Sequence, residues 1–159
     1  HVEASLGARV GLIVDGGECR AGIESTIVAL REEGGWQILR PGPITQENLA
    51  AVLGEGGGVA DDGKIEAPGQ MTSHYAPGKP VRLNARQKAS DEFWITFGGE
   101  EGDYALSPSG DLAEAAARLY AALHAAAAAP QARVAIAPIP DEGIGAAIND
   151  RLRRAAAPV

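Results

Sequence analysis

Apolar residues recur along this chain with two different spacings, and the changes of spacing mark its organisation. Val2 and Leu6, four apart, predict a helical tail over residues 1–8 that Gly7 brings to a stop. Val10, Leu12, Ile13 and Val14 crowd into a short apolar run ending at Asp15-Gly16-Gly17, which predicts a strand and a turn. The stretch GIESTIVAL predicts a second strand, with Ser25 and Thr26 inside it, and Gly34-Gly35 a hairpin-type turn. WQILRPG predicts a third strand, Trp36 to Leu39, with Arg40 at its end before Pro41-Gly42. Thr45 then caps a helix, with Gln46 and Glu47 in its first turn, Leu49, Val52 and Leu53 on its inner face and Gly54 as its stop.

From about residue 55 to 80 the pattern lapses into a Gly- and Pro-rich polar stretch without periodicity, a linker or an ordered active-site loop. Periodicity returns after it. VRLNA, FWITFG and YALSPSG are strand-like; Asp111 caps a long helix, Leu112–Ala129, with Leu112, Leu119 and Leu123 on one face, and Pro130 ends it. RVAIAPIP predicts a buried strand, Val134 to Ile139, and a closing helix over Gly143–Arg154 carries Ile144, Ile148 and Leu152 at spacings of four. This alternation predicts an α/β fold with a parallel sheet. The chain divides into residues 1–54, a linker over 55–80 and a C-terminal unit over 81–159.

Composition narrows the setting. A length of 159 residues fits one domain, or one small domain with part of another. Hydrophobic residues make up 45% and aromatic ones only 4%, so Ala, Val, Leu and Ile must fill the core. The 14 Lys+Arg against 21 Asp+Glu give a net charge of −7, which argues against a protein that coats nucleic acid but not against small phosphorylated ligands. Cys19 is the only cysteine, so no internal disulfide can form, which fits a reducing cytoplasm. No signal peptide is read, and Glu114, Arg118, Tyr120 and His124 interrupt the Ala-rich stretch, so nothing predicts a membrane span. The opening HVEASLGARV, without an initiator Met, reads as the inside of a helix and predicts a piece of a longer protein.

Candidate chemistry is sparse. Asp15-Gly16-Gly17 reads as an ordinary turn, and the phosphate-cradling patterns G-x-x-x-x-G-K-[ST] and G-x-G-x-x-G do not occur. Glu24-Ser25-Thr26 reads either as plain strand composition or as a hydroxyl aimed at a ligand carboxylate. Arg40 is either a surface arginine or a guanidinium fixed before a rigid turn to clamp a phosphate. Ser73-His74-Tyr75-Ala76-Pro77 is the densest polar-aromatic cluster: a loop anchored by one aromatic, or a proton carrier or phosphate ligand (His74) beside a nucleotide contact (Tyr75). Asn149-Asp150-Arg151 and Arg153-Arg154 read as a solvated helix face, and His124 and Cys19 as packing residues. No His and acidic residues have metal-ligand spacing, so no metal site is expected, and without G-x-S-x-G a hydrolase is not expected.

Taken together, DGGECRAGIESTIV, LRPGPIT and PGQMTSHYAP, followed by YALSPSGDLAEAAARLYAAL and IPDEGIGAAINDRLRRAA, resemble the threonylcarbamoyl-AMP synthases of the Sua5/YrdC type over nearly the whole chain. The resemblance implies the last strands of a YrdC-like α/β domain, a linker and a small Rossmann-like C-terminal domain with a parallel sheet. It implies a nucleotidyltransferase that condenses L-threonine, bicarbonate and ATP, with Mg2+ on the ATP, into threonylcarbamoyl-AMP and pyrophosphate. The product serves t6A modification of tRNA, so tRNA is met only indirectly, through downstream machinery. Carried over by motif, Ser25 touches the threonine, Arg40 the nucleotide phosphates, and Tyr75 with His74 belongs to a linker closing over the ATP site. The family's Lys/Arg-rich nucleotide motif and its S-A-N-x-S-G segment do not occur in these residues, so this piece is expected to be inactive alone. Two other readings are a non-catalytic module that gates a nucleotide site or dimerises, and a carbamoyl transferase of the hydrogenase-maturation kind. Unpaired strand edges would favour a homodimer.

Overall fold

The computed structural model describes residues 2–17, 19–60, 65–69, 75–99 and 101–157. Its elements are the helices α1 (Val2–Leu6), α2 (Gln46–Leu53), α3 (Leu112–Ala128) and α4 (Ile144–Ala156) and two sheets. The first joins β1 (Ile27–Leu30), β2 (Trp36–Arg40) and β3 (Gly58–Val59) in that order, antiparallel and then parallel. The second is wholly parallel: β4 (Val81–Arg82), β5 (Glu92–Thr96), β6 (Tyr104–Ala105) and β7 (Arg133–Ile136), in the order β4-β7-β5-β6.

The parallel sheet holds the core. Phe93, Ile95, Val134 and Ile136 face α3 (Leu112–Ala128) and α4 (Ile144–Ala156). Trp94 and Ala135, paired across β5 and β7, face the other way against Ala85 and Ala137. Alanines do much of the packing: Ala115, Ala116, Ala122 and Ala126 of α3 are fully buried, and their small side chains let the helix lie close to the sheet. Asp111 caps α3 by accepting from the Glu114 N–H at 2.7 Å. Glu92, fully buried within β5, is held by Arg82 at 2.6 and 2.9 Å and by the Ala89 N–H at 2.8 Å, so its charge is matched.

The first unit packs on this core through residues 22 and 23. Ile23 inserts into the core cluster, and Gly22 lies so close to α3 that a Cβ there would stand 2.2 Å from the Ala117 Cα. That contact, with φ +67° at Gly22, admits only glycine.

Several expectations are corrected. Residues 10–14 form no strand and pair with no strand among the described residues; Leu12 and Val14 are 81% and 80% exposed. The second strand is only Ile27–Leu30, so Ser25 and Thr26 precede it. The helix capped by Thr45, α2 (Gln46–Leu53), forms with a full capping box, yet it buries no residue and Val52 is 83% exposed. β7 ends at Ile136, before the chain turns toward α4. Cys19 and His124 are exposed rather than packed inside. Among the described residues, every large exposed apolar side chain falls before residue 66, in the first unit and the linker.

Leu119, 1% exposed between α3 and the sheet, tests where stability resides. Leu119→Ala is expected to cost about 2–5 kcal/mol in urea unfolding, against less than about 0.5 kcal/mol for Val52→Thr.

Candidate functional site

The β1–β2 hairpin explains why residues fifteen apart in sequence become neighbours. Gly34 and Gly35 close it with positive φ, the Gly34 N–H donating to the Arg31 carbonyl at 3.0 Å. Ile27 then stands opposite Arg40, so residues entering β1 and leaving β2 meet at the hairpin's open end. Thr26 fastens that end: its hydroxyl donates to the Ile44 carbonyl at 2.7 Å and accepts from the Ile44 N–H at 3.0 Å. Gly42 is required beneath it, since a Cβ there would lie 2.4 Å from the Thr26 nitrogen.

Arg40 and Ser25 touch directly. The guanidinium donates through Nε to the Ser25 carbonyl at 3.1 Å, through Nη2 to Ser25 Oγ at 3.3 Å and through Nη1 to the Pro68 carbonyl at 3.2 Å. Among the described residues these bonds use three of its five N–H groups, leaving two to meet an anion. Ser25 accepts and keeps its own proton to donate. A cation and a hydroxyl at one point suit a carboxylate or a phosphate oxygen.

The linker crosses over this pair. At Gly69, with φ +87°, a Cβ would stand 3.1 Å from Arg40 Cδ and 3.8 Å from the Tyr75 hydroxyl, so Arg40 and Tyr75 come together there. Tyr75 holds the left-handed conformation, φ +63°, uncommon for a side chain of its bulk. Its hydroxyl donates to Glu24 Oε1, and its ring stands 5.0 Å from that of Tyr120, tilted by 33°. Tyr120 of α3 donates to Glu24 Oε2 at 2.7 Å, and Arg151 of α4 reaches the same oxygen with Nη2 at 3.1 Å and Nε at 3.2 Å. Arg151 Nη1 donates to the Pro41 carbonyl at 2.5 Å and to Asp150 Oδ2 at 3.2 Å. His74 lies outside the described residues.

Electrostatics fixes the protonation of this cluster. Burial works against the Glu24 charge, but hydrogen bonds from Tyr75, Tyr120 and the backbone, with the Arg151 charge, outweigh it and hold the carboxyl at about 2. Burial, then bonding to Glu24, pushes both tyrosine hydroxyls up. Burial also opposes the Arg151 charge, but Glu24 beside it raises the guanidinium further. At neutral pH Glu24 is thus a carboxylate, Arg151 a guanidinium and Tyr75 and Tyr120 neutral phenols.

The structure gathers Ser25, Arg40 and Tyr75, all sequence candidates, at one end of the hairpin. The residues that organise them there are not among those candidates. Asp150 and Arg151 do not lie on a solvated face: they are 9% and 1% exposed. The signal was present, because residue 151 stands seven after Ile144 and three after Ile148, on the inward stripe of a helix. Among the described residues no group of three or more His, Cys, Asp or Glu is placed to hold a metal. Both oxygens of Glu24, which precedes Ser25 in the chain, already accept hydrogen bonds.

Comparison with known proteins follows the same outline. A family model described as "Threonylcarbamoyl-AMP synthase, C-terminal domain" matches residues 44–157. The threonylcarbamoyl-AMP synthase of Bacillus subtilis is 32% identical over 179 residues, spanning 98% of this chain and 51% of that protein. That of Pyrococcus abyssi is 29% identical, spanning 98% and 52%. Among solved structures, P. abyssi Sua5 complexed with L-threonine superposes with a TM-score of 0.80 at 26% identity, covering 98% of this chain and 52% of that one. The chain thus spans about half the length of these relatives.

Glu24 and Glu92 are both held at about 2, against an ordinary 4.5. Between these values the folded chain binds fewer protons than the unfolded one, so stability is full above about pH 4.5 and is lost as pH falls toward 2. Urea midpoints measured from pH 6 down to about pH 2.5 should fall steeply, and Glu24→Gln should flatten that slope; an unchanged slope would show that Glu24 is not held low.

Proposed function

The chain belongs to the Sua5 family of threonylcarbamoyl-AMP synthases, and on that premise we propose that it carries the threonine- and phosphate-contacting end of the catalytic domain, the linker and the C-terminal domain of such an enzyme. The whole enzyme, a nucleotidyltransferase, would make threonylcarbamoyl-AMP and pyrophosphate from L-threonine, bicarbonate and ATP, for t6A37 modification of tRNA in the cytoplasm. The observation that carries this reading is the direct contact of Arg40 with Ser25 beneath the linker. The threonine complex of the P. abyssi relative supports the amino acid as substrate.

The chemistry suits the residues. Threonine bearing a carboxylated nitrogen attacks the α-phosphorus of ATP; a P–O bond forms, the α–β bridge breaks and pyrophosphate leaves with its electron pair. Both reactants are anions, so the work is positioning and charge stabilisation. The Arg40 guanidinium offers its two unused N–H groups to phosphate oxygens, and Ser25 its hydroxyl to the threonine. Tyr75 and His74, on the linker, shield the labile carbamate and adenylate from water. Mg2+ would enter on the ATP phosphates and neutralise their charge; among the described residues no group of three or more His, Cys, Asp or Glu is placed to hold it. The alternative, a module that gates a nucleotide site without chemistry, leaves the Arg40–Ser25 pair unexplained.

In the full-length protein, pyrophosphate release should require L-threonine. Arg40→Ala should lower kcat/KM for ATP on the order of 10²-fold, and Ser25→Ala should raise KM for threonine about tenfold, the loss of one hydrogen bond. Residues 1–159 alone should release none. Release independent of threonine, or full ATP affinity in Arg40→Ala, would overturn the assignment.

A further inference from the structure

The C-terminal domain reaches the site through Tyr120 and Arg151, and among the described residues only Arg151 touches both sides of it. Arg151, 1% exposed, spans from the carboxylate of Glu24 to the carbonyl of Pro41. Those two residues are the chain neighbours of Ser25 and Arg40. The guanidinium is planar and rigid, so whatever it holds on its two sides is held at a set separation.

We propose that Arg151 is a positioning residue for the reaction: from the C-terminal domain it sets the separation and orientation of Ser25 and Arg40 by pinning Glu24 on one side and Pro41 on the other. The proposal rests on the reading of Ser25 and Arg40 as substrate contacts. It assigns the C-terminal domain a part in the chemistry without any residue of that domain touching substrate.

Three features support it. The Pro41 carbonyl belongs to the turn that follows Arg40, so the bond from Nη1 fixes the exit of β2 where the guanidinium of Arg40 is mounted. The Glu24 carboxylate is shared with Tyr120 and Tyr75, so α3, α4 and the linker converge on the residue that precedes Ser25. Arg151 is itself immobilised: Asp150 accepts from it at 3.2 Å and is held in turn by Arg154 at 3.0 Å. A lysine here would keep the charge but not the fork, and its single ammonium cannot reproduce both bonds.

The test uses full-length protein and the variants Arg151→Met, Arg151→Lys, Glu24→Gln and the Arg151→Met/Glu24→Gln double. Threonine-dependent pyrophosphate release gives kcat and KM for each substrate, and calorimetry gives L-threonine and ATP affinities without turnover. Thermal melting fixes a temperature at which each variant is folded. Arg151→Met should lower kcat/KM for both substrates on the order of 10²-fold, the cost of roughly 1 Å of misplacement. Arg151→Lys should recover only part of the loss, and the double variant should be about as impaired as the worse single one, because both break the same link. Lower melting with unchanged kcat, KM and affinities in the folded range would overturn the proposal, as would losses that multiply in the double variant. Should Arg151→Met fail to fold, Tyr120→Phe keeps Arg151 and removes one bond from Glu24; a drop of about 3–10-fold in kcat/KM supports the link, and no change counts against it. A wild-type protein that releases no pyrophosphate with threonine would remove the functional reading, while the affinities would still report on positioning.

Discussion

A guanidinium shut away from water must find a partner for its donors, and the arrangement around residue 151 is the solution this chain adopts. Moving a charge out of water is costly unless attraction and hydrogen bonding offset it. Here Nε, Nη1 and Nη2 of Arg151 are all bonded, to a carboxylate, a main-chain carbonyl and a neighbouring aspartate. A buried ion pair of this kind adds little net stability over well-packed apolar side chains, yet breaking it leaves an uncompensated charge. Its effect is to favour one relative placement of hairpin and helices over all others.

That placement depends on small residues elsewhere. Glu24 reaches Arg151 because Gly22 lets the chain lie against the α3 backbone and Ile23 plunges into the core beside it. Gly42 similarly lets the turn after Arg40 press on Thr26. A side chain at either glycine would push the strand end away, and with it the hydroxyl or the guanidinium that the site needs. The core is built in the same manner, with buried alanines of α3 supplying closeness where aromatic rings would supply bulk.

How much of this was legible in the sequence follows from how local each signal is. The caps at Thr45 and Asp111, the glycine turn, and the helices α3 and α4 rest on neighbours within four residues, and they were readable. The apolar run at 10–14 was misread because a strand needs a partner edge, which no local pattern reveals. Ser25, Arg40 and Tyr75 were singled out by motif, but their mutual geometry was not, because it arises from hairpin register. Arg151 was discounted since an arginine in a helix is nearly always solvated; its partner lies 127 residues away. Only the inward stripe of α4, with an arginine where an apolar residue belongs, hinted otherwise.

The distance along the chain between Arg151 and Glu24 also has a temporal side. Synthesis runs at about 5–20 residues per second, so the 127 residues separating the two take roughly 6–25 s to emerge from the ribosome. Once Arg40 has emerged, the hairpin stands complete for most of that interval while the helix that braces it does not yet exist. The hairpin's seat on the helices is therefore decided only after residue 151 has been made, long after its own turn could close.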